Sequence, residues 1–350
     1  MRLKLLTLAL ALSAISLPSH GEDLLDAYRE ARANDPVLSQ ADAQRLSVGE
    51  NVTQARALLL PQISAGLSLS QTSRGKSTST TVDPTTGQTV QTTTNLGHSR
   101  TREISANLSQ TVLDLSKIAD LKAAHSQASA QDALYQAALQ NLFVRVTTAY
   151  FNVLTSQDSL AFAKANEEAY RQQYEQSDQR YKVGLSAITD VYQAKSYYES
   201  AKAQTIAAQN TLDDAREALS QITGKPTGEL KKLRDDLPLD PPQPNDQSAW
   251  VQQALQNNPN LLSDKYSVEA AEHSISAARA GHLPTISANV SYGKSATWYE
   301  NSNLHFRNPS STTVGLTLSV PLFSGGATQS RVRQSIYQRD AAQDSMETDR

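Results

Sequence analysis

The side chains able to do chemistry are sparse. His98, His125, His273, His282 and His305 share no ligand spacing, and cysteine is absent. There is no glycine-rich phosphate loop, no nucleophile elbow and no carboxylate pair, so the sequence points to no enzyme, cofactor or metal. The chain is organised instead around one short stretch, Arg180-Tyr181-Lys182-Val183-Gly184-Leu185-Ser186-Ala187-Ile188-Thr189-Asp190-Val191, where Gly184 is the only glycine between residues 100 and 223. A glycine followed by Ser, Ala and a Thr-Asp pair reads as a helix C-cap, a tight turn and the opening of the next helix. Asp190 suits a helix N-terminus, where the dipole favours negative charge. Val183 and Leu185, apolar at an exposed turn, call for a partner.

The elements holding this turn are two long helical patterns. Tyr135, Leu139, Leu142, Val146, Ala149, Val153, Ser156, Leu160 and Ala163 precede it; Val191, Ala194, Tyr198, Ala201, Thr205, Ala208, Leu212, Ala215, Leu219 and Ile222 follow. Alternating steps of four and three mark a coiled-coil seam. A first helix of roughly 65 residues would be about 100 Å long at 1.5 Å per residue. Such a hairpin is either a rod or one wall of a conduit.

Arg2 and Lys4 precede the apolar run Leu5 to Leu17, and Ser19-His20-Gly21 places small residues before Glu22. This predicts a secretory signal peptide over 1–21, cleaved between Gly21 and Glu22. Its removal takes two of the 32 Lys and Arg residues and none of the 35 Asp and Glu, moving the net charge from −3 to −5. No basic field for nucleic acid remains. Without cysteine there is no disulfide and no lipid-bearing N-terminal thiol. No run after residue 21 approaches the roughly 18 apolar residues of a spanning helix, so β-strands are the remaining way into a membrane.

The chain repeats. Asn34-Asp35-Pro36 matches Asn257-Asn258-Pro259, Ala55-Arg56-Ala57 matches Ala278-Arg279-Ala280, and Leu60-Pro61 to Ala65 matches Leu283-Pro284 to Ala288, all at an offset of 223. Conserved spacing over so many positions means duplication. Each copy predicts two helices (24–33 and 37–60; 250–256 and 260–283), then two alternating strands (62–71 and 103–113; 285–293 and 313–322), then a long helix. The strands place Ile63, Ala65, Leu67 and Leu69, or Ile286, Ala288, Val290 and Tyr292, on one face, with Ser, Asn and Gly on the other. That is the dyad pattern of an outer-membrane barrel with a wet lumen, and Tyr292, Trp298 and Tyr299 sit where an aromatic belt would lie. Residues 72–102 and 294–313 read as polar loops.

The first repeat spans 22–223, with a helical hairpin over 115–222 and its tip near 183–190. A proline-rich connector covers 224–247, and the second repeat, 248–350, is incomplete. At an offset of 210, Arg350 corresponds to Gln140, so a stretch matching Asn141 to Ile222 is expected beyond it. Four strands cannot close a barrel, and an open edge is forbidden in lipid. Two chains give eight strands and a nearly filled interior, three give twelve with an aqueous passage. The fold class is therefore mixed α and β: four strands per chain, twelve in a trimer, in an outer-membrane barrel completed by oligomerisation and continuous with a long α-helical coiled-coil barrel.

Leu-Leu-Pro-Gln at 59–62, Leu-Asp-Leu-Ser-Lys at 113–117, Thr-Ala-Tyr-Phe-Asn-Val-Leu at 148–154, Val-Gly-Leu-Ser-Ala-Ile-Thr-Asp-Val at 183–191, Gln-Ile-Thr-Gly at 221–224, Gly-His-Leu-Pro-Thr at 281–285 and Pro-Leu-Phe-Ser-Gly-Gly at 321–326 complete the pattern. In order and spacing the chain resembles the TolC family of trimeric outer-membrane efflux channels, across essentially all of its mature length. The resemblance implies a homotrimer in outer-membrane lipid whose helices reach through the periplasm. It implies a passive duct for tripartite drug efflux and type I protein secretion, fed by an inner-membrane pump or ABC transporter through a periplasmic adaptor. It also implies that Val183, Gly184, Leu185 and Thr189 form the adaptor-facing tip and that Thr189 and Asp190 are one side of the periplasmic gate links. The family's partners for those links fall in the second helical hairpin, outside this sequence. A barrel-anchored coiled-coil adhesin or tether is the alternative, though a tether uses one anchor and one stalk, whereas this chain alternates strand pairs and helices twice.

Overall fold

A computed structural model describes residues 21–73, 75–95, 97–234, 241–299, 305–307 and 309–350. The expected signal peptide lies outside these residues apart from Gly21. In chain order the elements are α1 (Leu24–Asn34), α2 (Pro36–Ala57), β1 (Gln62–Ser73), β2 (Lys76–Val82), β3 (Thr89–Asn95), β4 (His98–Leu113), α3 (Leu115–Lys182), α4 (Ile188–Thr223), α5 (Gln247–Asn257), α6 (Pro259–Ala280), β5 (Thr285–Tyr299), β6 (His305–Arg307), β7 (Ser311–Ser319) and α7 (Ala327–Asp349). They group into two compact units, one from the described residues up to Arg45 with Asp132–Asn260, the other from Leu46–Gln131 with Leu261–Arg350. The units are not the two sequence repeats, since each draws on both.

In the first unit the predicted seam is the core. Leu142, Val146, Ala149, Val153 and Leu160 of α3 are buried, as are Val191, Ala194, Ala201, Leu212 and Leu219 of α4. Each Leu or Val so buried contributes about 1.5–3 kcal/mol of transfer free energy. Ala27 and Ala31 of α1 and Leu38 of α2 join the cluster. Small alanines let helix backbones approach closely, which is how a chain poor in aromatics still packs. Pro36 and Pro259 each open a helix at the position where the missing N–H costs nothing.

In the second unit the main strands run in the order β1, β4, β5, β7, with all neighbours antiparallel; β6 pairs with the far end of β5. Three differences from expectation have physical causes. The 72–102 stretch is not a loop: β1 runs to Ser73, β2 and β3 form their own hairpin, and β4 begins at His98. Threonine is a strong strand former without apolar alternation. Its turn is closed by the Asp83 carboxylate, which accepts from the Thr85 N–H at 2.8 Å and the Thr86 hydroxyl at 2.9 Å. Likewise β5 continues into the first part of the expected 294–313 loop, as far as Tyr299, held by β4 on one side. Finally, α2 and α6 end at Ala57 and Ala280, not 60 and 283, because both last turns tighten to i→i+3 bonds: Leu60 N–H to Ala57 O at 3.0 Å, and Leu283 N–H to Ala280 O at 2.9 Å.

Candidate functional site

At the tip, α3 ends in a Schellman motif. Leu185 N–H donates to Arg180 O at 2.8 Å and Gly184 N–H to Tyr181 O at 2.9 Å. Gly184 carries the positive φ, 77°, that this cap requires. Space around it is open, with nothing within 4 Å of an added Cβ, so backbone conformation and not crowding selects glycine. Three residues on, α4 opens with Ala187 in extended conformation, and the Asp190 carboxylate accepts the Ala187 N–H at 3.4 Å. The Ser186 hydroxyl donates back to Ser177 O at 3.4 Å.

This compact turn displays its apolar side chains. Val183 is 69% and Leu185 70% exposed, and Tyr192 in the first turns of α4 is similarly open at 67%. Thr189 and Asp190 are also exposed. Among the described residues Asp190 has no partner outside its own helix start, and the Thr189 hydroxyl makes no hydrogen bond. Thus Val183, Gly184, Leu185 and Thr189 are all exposed within seven residues of chain, while Asp190 serves the local cap.

Behind the tip, two tyrosine pairs bind α3 to α4. Tyr170 and Tyr197 have centroids 5.9 Å apart, and Tyr174 and Tyr198 stack at 6.2 Å with an interplanar angle of 5°. The Lys182 ammonium sits 2.6 Å from Asp178, and hydrogen bonding to that carboxylate raises its pKa. About two turns before Asp178, Arg171 bridges Glu168 and Glu175; its hydrogen bonds hold the Glu168 carboxyl at about 2. Both glutamates are exposed and Arg171 is half-buried, so these pairs order the surface more than they stabilise it.

At the other end of the hairpin lies a junction that sequence reasoning missed. Asp35, only 2% exposed, accepts the Leu38 N–H at 2.8 Å and so caps α2, while the Arg145 guanidinium of α3 reaches both its oxygens at 3.3 and 2.5 Å. The Asn-Asp-Pro signal marks the boundary between two helices but not the cap, and nothing in the sequence links residue 35 to residue 145. Nearby, Glu22 and Leu230 form a parallel bridge, with Glu22 N–H donating to Glu229 O at 2.9 Å and Lys231 N–H to Glu22 O at 3.0 Å. The buried Tyr150 hydroxyl donates to Lys231 O at 2.7 Å, with Glu22 O at 3.0 Å. Burial, then the charges of Asp23 and Glu22, push its pKa up. Lys225 pairs with Glu30 at 2.5 Å.

On the sheet, Ile63, Leu67 and Leu69 of β1 and Val314, Leu316 and Leu318 of β7 stand exposed at the two edges. No described helix is long and apolar enough to cross a membrane. No cluster of three metal-ligating side chains occurs among the described residues.

A family model described as "Outer membrane efflux protein" matches residues 27–225 and 250–350. The outer membrane protein TolC of Escherichia coli K12 is 33% identical over 350 residues, covering 97% of this chain and 67% of that protein. The alkaline protease secretion protein AprF of Pseudomonas aeruginosa is 30% identical over 91% of this chain and 64% of its own length. Among solved structures, the CmeC outer membrane channel of Campylobacter jejuni superposes with a TM-score of 0.73 at 18% identity, over 93% of this chain and 67% of CmeC.

Proposed function

The chain belongs to the outer membrane efflux protein family, and from that premise we propose that it is one subunit of a trimeric channel-tunnel. The channel is a passive exit duct for tripartite drug efflux and type I protein secretion, opened at its periplasmic end by an adaptor and an inner-membrane pump. The observation that carries this reading is the four-strand sheet with two unpaired, apolar edges: Ile63 on β1 is 77% and Val314 on β7 75% exposed. In the outer membrane such edges must be closed by other copies. AprF supports the secretion role by its name, TolC the outer-membrane placement, and CmeC the channel fold.

Within that duct, Val183, Gly184, Leu185 and Thr189 face the adaptor, because the exposed apolar turn supplies a contact surface that water does not satisfy. Thr189 and Asp190 contribute gate links; the Asp190 bond to Ala187, at 3.4 Å, is long enough to yield to a better partner. The leader is cleaved after Gly21, so that Glu22 begins the mature chain at its bridge with Leu230.

Single-channel recording of the intact protein in planar bilayers tests the duct. Stable conductance is expected, rising in Asp190→Ala as the closed end loosens. A protein that inserts but passes no ions is a tether and not a duct.

A further inference from the structure

The apolar face of the sheet changes character at one end. On β4 the even-numbered residues Leu108, Ala106 and Ile104 give way to Arg102 and Arg100; on β5 Val290 and Tyr292 give way to Lys294, Ala296 and Trp298. Pairing sets these side by side: Ile104 opposite Lys294, Arg102 opposite Ala296, Arg100 opposite Trp298. Side-chain contacts fix the face independently. The Arg102 guanidinium lies 5.8 Å over the Trp298 ring, and Arg100 donates to Gln71 of β1 at 3.3 Å. On the opposite face the Thr101 and Thr297 hydroxyls are 3.1 Å apart.

Three cations therefore stand on the face that carries Leu67, Leu69 and Ile104. The sole carboxylate of β1, β4, β5 and β7, Glu103, lies on the other face. Among the described residues none of the three cations meets an acidic side chain. Arg100, Arg102 and Lys294 are exposed, and a cavity of about 160 Å³ lined by His98, Arg100, Trp298 and Tyr299 opens beside them. Uncompensated charge next to an apolar band is costly unless it meets counter-charge at the membrane surface.

Depth places the cluster at that surface. From Val112 to Ile104 is eight steps, about 26 Å along a strand at 3.3 Å per residue. With the roughly 40° tilt of barrel strands this spans about 20 Å of hydrocarbon, nearly the full apolar band. The helices join the strands at the other end, through Gln62, Leu113, Thr285 and Ser319. Arg100 and Arg102 hence lie at the leaflet away from the helices, with Trp298 in the interfacial belt.

We propose that Arg100, Arg102 and Lys294, flanked by Trp298, form a binding site for the phosphate of an outer-leaflet lipid on the membrane-facing surface of the barrel. Arginine pairs bind phosphate oxygens through paired N–H donors, and lysine reaches them from a deeper position by extending along the apolar surface. The site rests on the barrel reading and on nothing about the transported cargo.

The test is lipid binding to the intact protein in nonionic detergent, followed by native mass spectrometry. Three probes are compared: a phosphorylated glycolipid of the outer leaflet, the same lipid with its phosphates removed, and inorganic phosphate. Phosphorylated lipid is expected to bind best, with each of Arg100→Gln, Arg102→Gln and Lys294→Gln weakening it about fivefold. Glu103→Gln, on the opposite face, leaves binding unchanged, and a variant combining the charge-conserving exchanges Arg100→Lys, Arg102→Lys and Lys294→Arg retains most of it. Equal binding of the dephosphorylated lipid, or undiminished binding by the triple glutamine variant, would overturn the site. Inorganic phosphate binding as tightly as the lipid would replace it with a free-ion site. Conductance of the same preparations reports the duct separately, so loss of lipid binding with conductance intact bears on this cluster alone.

Discussion

Asp35 shows how one side chain ties the start of α2 to the middle of α3. Its carboxylate is 2% exposed, caps α2 and holds Arg145, whose own side chain is 30% exposed. Removing the guanidinium leaves a buried charge with only one backbone donor. Breaking a fully buried pair costs about 3–5 kcal/mol, and the partial exposure of Arg145 lowers the expected loss for Arg145→Met to about 2–3 kcal/mol. Chemical denaturation of the two proteins measures it; a change under about 0.5 kcal/mol, the scale of an ordinary surface substitution, would show the pair to be incidental. Asp264 of α6 behaves oppositely. One carboxylate oxygen is buried without a hydrogen-bond partner, and burial, then the nearby Asp349 charge, raises its pKa above 3.8. The folded protein thus binds this proton more tightly than the unfolded chain. Stability is lost as pH rises from 3.8 through the raised value and stays lower above it. Asp264→Asn is expected to raise the melting temperature at neutral pH, with the gain vanishing below pH 3.8. A gain that persists in acid would assign the effect to packing.

At the scale of elements, the hairpin seam was legible because burial follows spacing: ten of the residues that keep the four-and-three alternation, Leu142 to Leu219, are buried, with Tyr150 and Leu154 buried beside them. The strand pairs were legible for the same reason, through period two. The β2–β3 hairpin was not, since Ser and Thr on both faces leave no periodicity to read, and only Asp83-Pro84-Thr85-Thr86-Gly87 hinted at its turn. Nor could the Asp35–Arg145 pair be read, because 110 residues separate its members. At the tip, turn chemistry and surface chemistry are separable. Gly184→Ala adds little bulk but forces an L-residue to φ 77°, costing about 1–2 kcal/mol. Gly184→Trp adds the same strain and a large ring between Val183 and Leu185. Both should weaken the cap alike, while only tryptophan abolishes cross-linking of the tip to a periplasmic adaptor. If alanine abolishes it equally, the turn's conformation and not its surface is what the partner reads.

The whole molecule is decided at the sheet edges. Among the described strands β1 pairs only with β4, and β7 only with β5. Each unpaired backbone group facing lipid costs several kcal/mol, so both edges need partners of the same length. A β1-to-β7 contact between copies is head-to-tail, and head-to-tail contacts close into rings when the rotation permits. Eight strands from two copies leave an interior filled by side chains, whereas twelve from three enclose water. Residues 1–350 contain no cysteine, so within them only the introduced thiols react, and the unsubstituted intact protein supplies the background lane. Cysteines at Leu67 of β1 and Leu316 of β7 in the intact protein, joined by a flexible bifunctional thiol reagent, are expected to give dimers and trimers and nothing larger. Each single-cysteine variant stays monomeric, because in a head-to-tail ring β1 never meets β1. Cross-linked dimers from Leu67→Cys alone would mean a two-fold β1–β1 contact, which closes eight strands and no tunnel, and a ladder beyond three would mean a contact that does not close.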